Sequence, residues 1–153
     1  MIRVADISDL EWLCGLYKEL HKYHADMAQE RFCMPDDGFF CEEMTSFLNS
    51  DEWITLVHED GGVMDGYVIF KAFNNDAPDI QTRRICHITH FMVTEDARRR
   101  GVGTELMNKV CECARSVQCD VVRLLVNTRN EGAIAFDNKL GFEAANIVME
   151  KRL

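Results

Sequence analysis

A chain of 153 residues that is 47% apolar, 28% charged and 9% aromatic, with two prolines and nine glycines, falls outside the disordered, linker-rich and fibrous classes and can bury a core without disulfide or metal. Its formal charge of −9 argues against nucleic acid and anionic membrane surfaces as partners and mildly favours a cationic one. The sequence holds neither an apolar run long enough to span a membrane nor a basic, apolar leader, so one soluble cytoplasmic domain over residues 1–153 is expected.

Ile2 to Val4 reads as a short strand. Ser8 then stands as the cap of a first helix, with Glu11 at the matching capping-box position. In that helix Leu10, Leu13, Cys14, Tyr17, Leu20 and His21 recur on one face. Pro35 to Gly38 break the chain before a second helix over Phe39–Leu48. Trp53–His58 and Gly66–Phe70, joined by a turn at Glu59–Gly62, form the pattern of a hairpin. A polar loop over Asn74–Arg83 leads to a strand at Ile85–Val93. Val102, Leu106, Met107, Val110 and Ala114 then repeat at helical spacing. Val121–Val126 is an apolar run typical of a strand buried on both faces. Glu131–Leu140 reads as a helix closed by Gly141, and Phe142–Lys151 as a last strand. The strand-helix-strand order of the second half implies a parallel pairing. Seven cysteines without a CxxC pair fit a reducing compartment, most of them as small buried hydrophobes.

The chemistry concentrates in Arg98-x-x-Gly101-x-Gly103, between a strand and a helix. Two glycines let the backbone turn tightly and approach a ligand. The free N–H groups of the helix start make an anion site, and Arg98, Arg99 and Arg100 add charge to it in an acidic protein. A phosphate-bearing ligand is the direct reading; a solvated basic turn at a helix start is the alternative. The segment is not a P-loop, lacking Gly-Lys-Ser/Thr, and it lacks the third glycine of a dinucleotide fingerprint.

With Phe91-Met-Val93 before it, and with Asn130-Glu-Gly-Ala133-Ile-Ala-Phe136-Asp-Asn-Lys139-Leu-Gly141-Phe142 after it, this stretch resembles two ordered motifs of the GNAT N-acetyltransferases, over roughly residues 85–145. The resemblance implies a single α/β domain whose mixed central sheet is flanked by helices and contains a splayed pair of parallel strands. It also implies acetyl-CoA as co-substrate. By that resemblance the backbone N–H groups of Arg99, Arg100, Gly101, Val102, Gly103 and Thr104 would hold the pyrophosphate, with Arg98 opening the motif. Met92 and Val93 would pair through their backbones with the pantetheine arm, and Asn130 and Phe136 match the second motif, the asparagine as a pantetheine contact. Relatives are often dimers, so a homodimer is compatible with it.

Transfer to an amine requires removal of a proton. Some members of the family place a glutamate base eleven residues before the Gly motif, where this chain has His87, and imidazole can take that role. His90 is the second candidate. Strand alternation sends residues three apart to opposite faces, so at most one should face a given site. The alternative for both is a hydrogen-bonded core histidine. Four residues before the Gly of Gly-Phe the family usually has a tyrosine that protonates the departing thiolate; here stands Asp137, a poor donor unless desolvated. Tyr67, Tyr17 and Tyr23 are substitutes to consider, though all three also suit packing.

No metal site is expected, since His21, His24, His87 and His90 gather no four-ligand set. His21, Tyr23, His24, Phe32, Phe39 and Phe40, with Asp26, Glu42 and Glu43, fall in the segment that lines the acceptor site in relatives. A core face beside a solvated face explains them equally; as a wall they would suit a small-molecule or peptide amine. The expected activity is N-acetylation by direct attack in a ternary complex, driven by orientation and by polarisation of the thioester carbonyl. A non-catalytic acyl-CoA-binding or sensing module is the alternative, motivated by Asp137.

Overall fold

The computed structural model describes every residue from Met1 to Leu153. Its strands are β1 (Ile2–Val4), β2 (Ile54–Asp60), β3 (Val63–Asn75), β4 (Arg83–Val93) and β5 (Val121–Arg123); its helices are α1 (Leu10–Met27), α2 (Asp37–Leu48), α3 (Val102–Ser116) and α4 (Glu131–Lys139). The five strands lie in one sheet in chain order. Every pairing is antiparallel except β4 with β5, which α3 connects in parallel. The expected mixed α/β sheet with flanking helices is therefore the fold observed.

Alternation along β3 divides the core. Tyr67 and Ile69 face α1 and α2, packing with Leu13, Tyr17, Phe40 and Met44; Val68 and Phe70 face α3, packing with Leu106, Val110, Cys86 and Ile88. The α3 residues Val102, Leu106, Met107, Val110 and Ala114 are all buried, as their spacing predicts. No helix is long and apolar enough to cross a membrane.

Five local expectations are corrected. The start of α1 is capped not by Ser8 and Glu11 but by Asp6 and Asp9 around a short 3-10 turn at Ile7–Asp9. Asp6 accepts from the Ser8 N–H at 2.8 Å, and Asp9 accepts from the Asp6 N–H at 2.9 Å while taking a bidentate bond from Arg3. That ion pair fixes the cap two residues earlier, at Asp6. The loop expected at Asn74–Arg83 is shorter, because β3 and β4 continue pairing out to Asn75 and Arg83. The run Val121–Val126 is not buried on both faces: the ladder ends at Arg123, and Leu125 and Val126 are exposed. Phe142–Lys151 forms no strand; only the Phe142 N–H is engaged, donating to the Asp137 carbonyl as Gly141 turns left-handed at φ +88°.

The fifth concerns sulfur. Cys14 of α1 and Cys41 of α2 are joined as a disulfide, with Cα atoms 5.1 Å apart, because the two helices cross there. Cys33 is exposed, Cys111, Cys113 and Cys119 are half-buried, and Cys86 is buried with its thiol pushed up to about 12 by desolvation. The disulfide joins residues 27 apart in sequence, so in the chain-entropy account it stabilises by about 3 kcal/mol. Reduction, or Cys41→Ser, is expected to lower Tm by roughly 6–12 °C in a calorimetric scan; an unchanged Tm contradicts the link.

Candidate functional site

The site begins at a bulge in β4. Ile69 pairs with His90 and the next residue of β3, Phe70, pairs with Ile88, so Thr89 is an extra residue on β4. The insertion resets the alternation. His87 lies opposite Lys71 and His90 opposite Ile69, and both histidines consequently share the face that carries α1 and α2. The expectation that residues three apart diverge is overturned by this one residue, for which the sequence offers no signal.

Their environments differ. His90 is enclosed by aromatic rings, with centroids at 4.4 Å for Tyr17, 5.4 Å for Phe47 and 6.1 Å for Tyr67, and its Nδ1 lies 3.3 Å from the Tyr67 hydroxyl. Desolvation first, then the neighbouring His24 and His21, hold its pKa down at about 4. His87 is also lowered, by desolvation and by the positive charges of Arg123 and Lys71. Tyr67 is fully buried, and desolvation raises its hydroxyl well above the ordinary tyrosine value, keeping it protonated. Tyr17 is raised in the same way.

β4 and β5 pair only through Ile85–Val121, Cys86–Val122 and His87–Arg123. Beyond His87 they separate, and the β4 main chain from Ile88 to Val93 has no strand on that side. The Arg98 Nε–H donates to the Val93 carbonyl at 3.2 Å, and the guanidinium lies 5.8 Å from the Tyr23 ring centre. Met92 is buried on the α1–α2 side. Phe136 of α4 packs against Phe91 with ring centres 5.9 Å apart.

At the mouth of this cleft the chain enters α3. Arg99 and Gly101 both take left-handed backbone, with φ +63° and +97°, a cost tolerated where a turn is over-determined. The N–H groups of Arg99, Gly101, Val102, Gly103 and Thr104 find no acceptor within the chain, the first satisfied one being Glu105 on the Gly101 carbonyl. A Cβ on Gly103 would meet the Phe136 ring at 3.2 Å, so this glycine is required by packing as well as by any ligand. Val102 is buried in the α3 core. Arg100 pairs with Asp60 at 3.1 Å. Asn130 caps α4, accepting from the Ala133 N–H at 3.1 Å, and also accepts from the Tyr23 hydroxyl at 3.3 Å.

The cleft thus brings together Met92, Val93, Arg98–Thr104, Asn130 and Phe136 from separate segments. Free N–H groups suit a diphosphate, and an unpaired strand edge suits a chain bearing amides. Asp137, absent from the expected catalytic residues, is buried in α4, and desolvation lifts its carboxyl to about 6. Sequence supplied its position but not its burial. On the acceptor side, the His21 Nε2–H donates to the Cys33 carbonyl at 2.8 Å, and Phe32, Phe39 and Phe40 complete the aromatic wall. No three His, Cys, Asp or Glu side chains cluster as metal ligands would.

Residues 6–142 match the acetyltransferase (GNAT) family. An uncharacterised N-acetyltransferase of Methanocaldococcus jannaschii is 35% identical over 104 residues, which cover 63% of this chain and 45% of that relative; the chain thus spans less than half of its length. A mutant of the BH1408 protein from Bacillus halodurans has the same fold, with TM-score 0.95 at 22% identity over 100% of this chain and 99% of the other. An aminoglycoside N-acetyltransferase in complex with CoA superposes at 0.80 with 20% identity, over 100% and 93%. Another structure of this type of enzyme, with a bisubstrate analogue of CoA, gives 0.79 at 21%, over 100% and 97%.

The raised Asp137 pKa makes its ionised form costly to the fold. The penalty is absent near the unfolded value of 3.8, grows from there, and is complete above about pH 6. Asp137→Asn is therefore expected to raise Tm above pH 6 and leave it unchanged near pH 4; a gain independent of pH contradicts the assignment.

Proposed function

Because the chain belongs to the GNAT acetyltransferase family, we propose that residues 1–153 act as one N-acetyltransferase domain that moves an acetyl group from acetyl-CoA to a primary amine by direct attack in a ternary complex. The observation that carries this reading is the free β4 edge over Ile88–Val93, which ends beside a helix start with five unpaired N–H groups. When bound, acetyl-CoA supplies the activated acyl thioester. The N–H groups of Arg99 and Gly101–Thr104 bind its diphosphate, with Arg98, Arg99 and Arg100 adding charge. Met92 and Val93 offer main-chain partners to the pantetheine arm, Asn130 offers its side-chain amide, and Phe136 closes the cleft.

His90 takes the proton of the attacking amine. In the tautomer that donates Nδ1–H to the Tyr67 hydroxyl its Nε2 lone pair is free, and its depressed pKa keeps the ring neutral at pH 7. His87 is disfavoured in that role, because the positive charges of Arg123 and Lys71 beside it oppose the approach of a cationic amine. Asp137 protonates the departing thiolate, since desolvation brings its carboxyl within reach of neutrality. The acceptor is a small cationic amine, or a peptide amine, held between the aromatic wall and an acidic surface. Aminoglycoside acetyltransferases of the same fold support an amine acceptor. A sensing module that binds acyl-CoA without turnover is the second reading, favoured only by the aspartate in the family's tyrosine position.

Gly101→Glu places bulk and negative charge in the left-handed turn and is expected to abolish acetyl-CoA binding in a folded protein. Unchanged affinity by calorimetry contradicts the diphosphate placement. His90→Ala is expected to lower kcat by about 10²–10⁴-fold, while His87→Ala lowers it less than about tenfold; the reverse order contradicts the assigned base.

A further inference from the structure

A row of basic side chains crosses the sheet beside the proposed base. Lys71 of β3 pairs with His87 of β4, and His87 with Arg123 of β5, so all three stand on the face that carries α1 and α2. The row lies at the last pair before β4 and β5 separate. The chain as a whole has a formal charge of −9, and a row of one positive sign departs from its surroundings.

The three side chains are engaged to different degrees. Lys71 pairs with the exposed Glu52 at 3.1 Å and lies 4.7 Å from the Trp53 ring centre. His87 is half-buried between the other two and feels the charge of both. Arg123 is exposed and takes part in none of the chain's ion pairs. A guanidinium without a partner, beside a cleft, is a ready bidentate donor to a carboxylate.

Aromatic rings connect the row to the base. Trp53 packs on Phe47 with ring centres 5.3 Å apart, and Phe47 on His90 at 5.4 Å. The β3 partners of His87 and His90 are Lys71 and Ile69, two residues apart, which sets the row about 7 Å along the strands from the base. The charge at the base has the other sign: Glu43 acts on Tyr17, whose ring centre lies 4.4 Å from that of His90. One end of the acceptor site therefore favours a cation and the other an anion.

We propose that the acceptor is a zwitterion whose amine reaches His90 while Arg123 and Lys71 hold its carboxylate, an assignment that rests on His90 serving as the base of an acetyl transfer. A separation of about 7 Å exceeds that in the backbone of a free α-amino acid, whose two groups share one carbon, and matches the ends of an extended dipeptide. The side-chain amine and the carboxylate of a lysine-type amino acid span a similar distance. Polycations meet the row as like charge and are disfavoured.

Calorimetry on the CoA-saturated protein would compare glycylglycine with glycylglycine amide, and lysine with cadaverine, which lacks its carboxylate. The carboxylate-bearing member of one pair is expected to bind about 10–100-fold tighter, and the pair that shows the difference separates the dipeptide from the lysine-type acceptor. Arg123→Gln is expected to remove the difference, raising the acceptor KM more than it lowers kcat, and Arg123→Lys to keep most of it. Arg123 is exposed, so both variants fold. Equal binding within both pairs overturns the proposal, as does a preference that survives Arg123→Gln. A preference that Arg123→Gln removes, without acetylation of any amine, supports the carboxylate site and overturns instead the role of His90 as a base.

Discussion

A parallel ladder of three residue pairs ties β4 to β5, and past His87 the β4 main chain has no neighbour on that side. Backbone donors and acceptors in the interior of a fold require partners, and an unpaired strand edge that lines a cleft can take a ligand that supplies them. The rest of the site takes its position from this separation. Phe136 packs against Phe91 inside the gap, Gly103 lacks a side chain because the Phe136 ring occupies its space, and α3 begins where its free N–H groups meet the cleft. The same divergence ends the β5 ladder early and leaves Leu125 and Val126 uncovered.

Two titratable groups are moved in opposite directions. Burial among Tyr17, Phe47 and Tyr67 keeps His90 neutral, and burial in α4 pushes Asp137 towards its protonated form. In the proposed mechanism one environmental effect, desolvation, would set both the proton acceptor and the proton donor. Surface charges would not do this, because salt and water would screen them.

The Arg98–Gly103 turn was legible from sequence because its constraint is local: glycines at a left-handed position and a helix start are encoded within a few residues. The helical spacing of Val102, Leu106 and Val110 was legible for the same reason. The Thr89 bulge was not, since it depends on how β4 registers against β3, and it reversed the expected separation of His87 and His90. The Asp6 cap escaped because Arg3, across the turn, decides which acid is fixed. The desolvation of Asp137 depends on what packs over α4, and Phe142–Lys151 has a strand's composition without a partner in the same chain. The Cys14–Cys41 link likewise follows from the crossing of α1 and α2 rather than from any spacing motif.

Acetyl transfer itself is the central claim, and turnover tests it most directly. The purified protein would be incubated with acetyl-CoA and a pooled panel of polyamines, amino acids, aminoglycosides and short peptides, with products read by mass, since the protein's own thiols interfere with thiol reagents. An amine that gains one acetyl group, dependent on the protein, is the expected result. Acetyl-CoA binding without any acetylated product across the panel would contradict it and favour a sensing module.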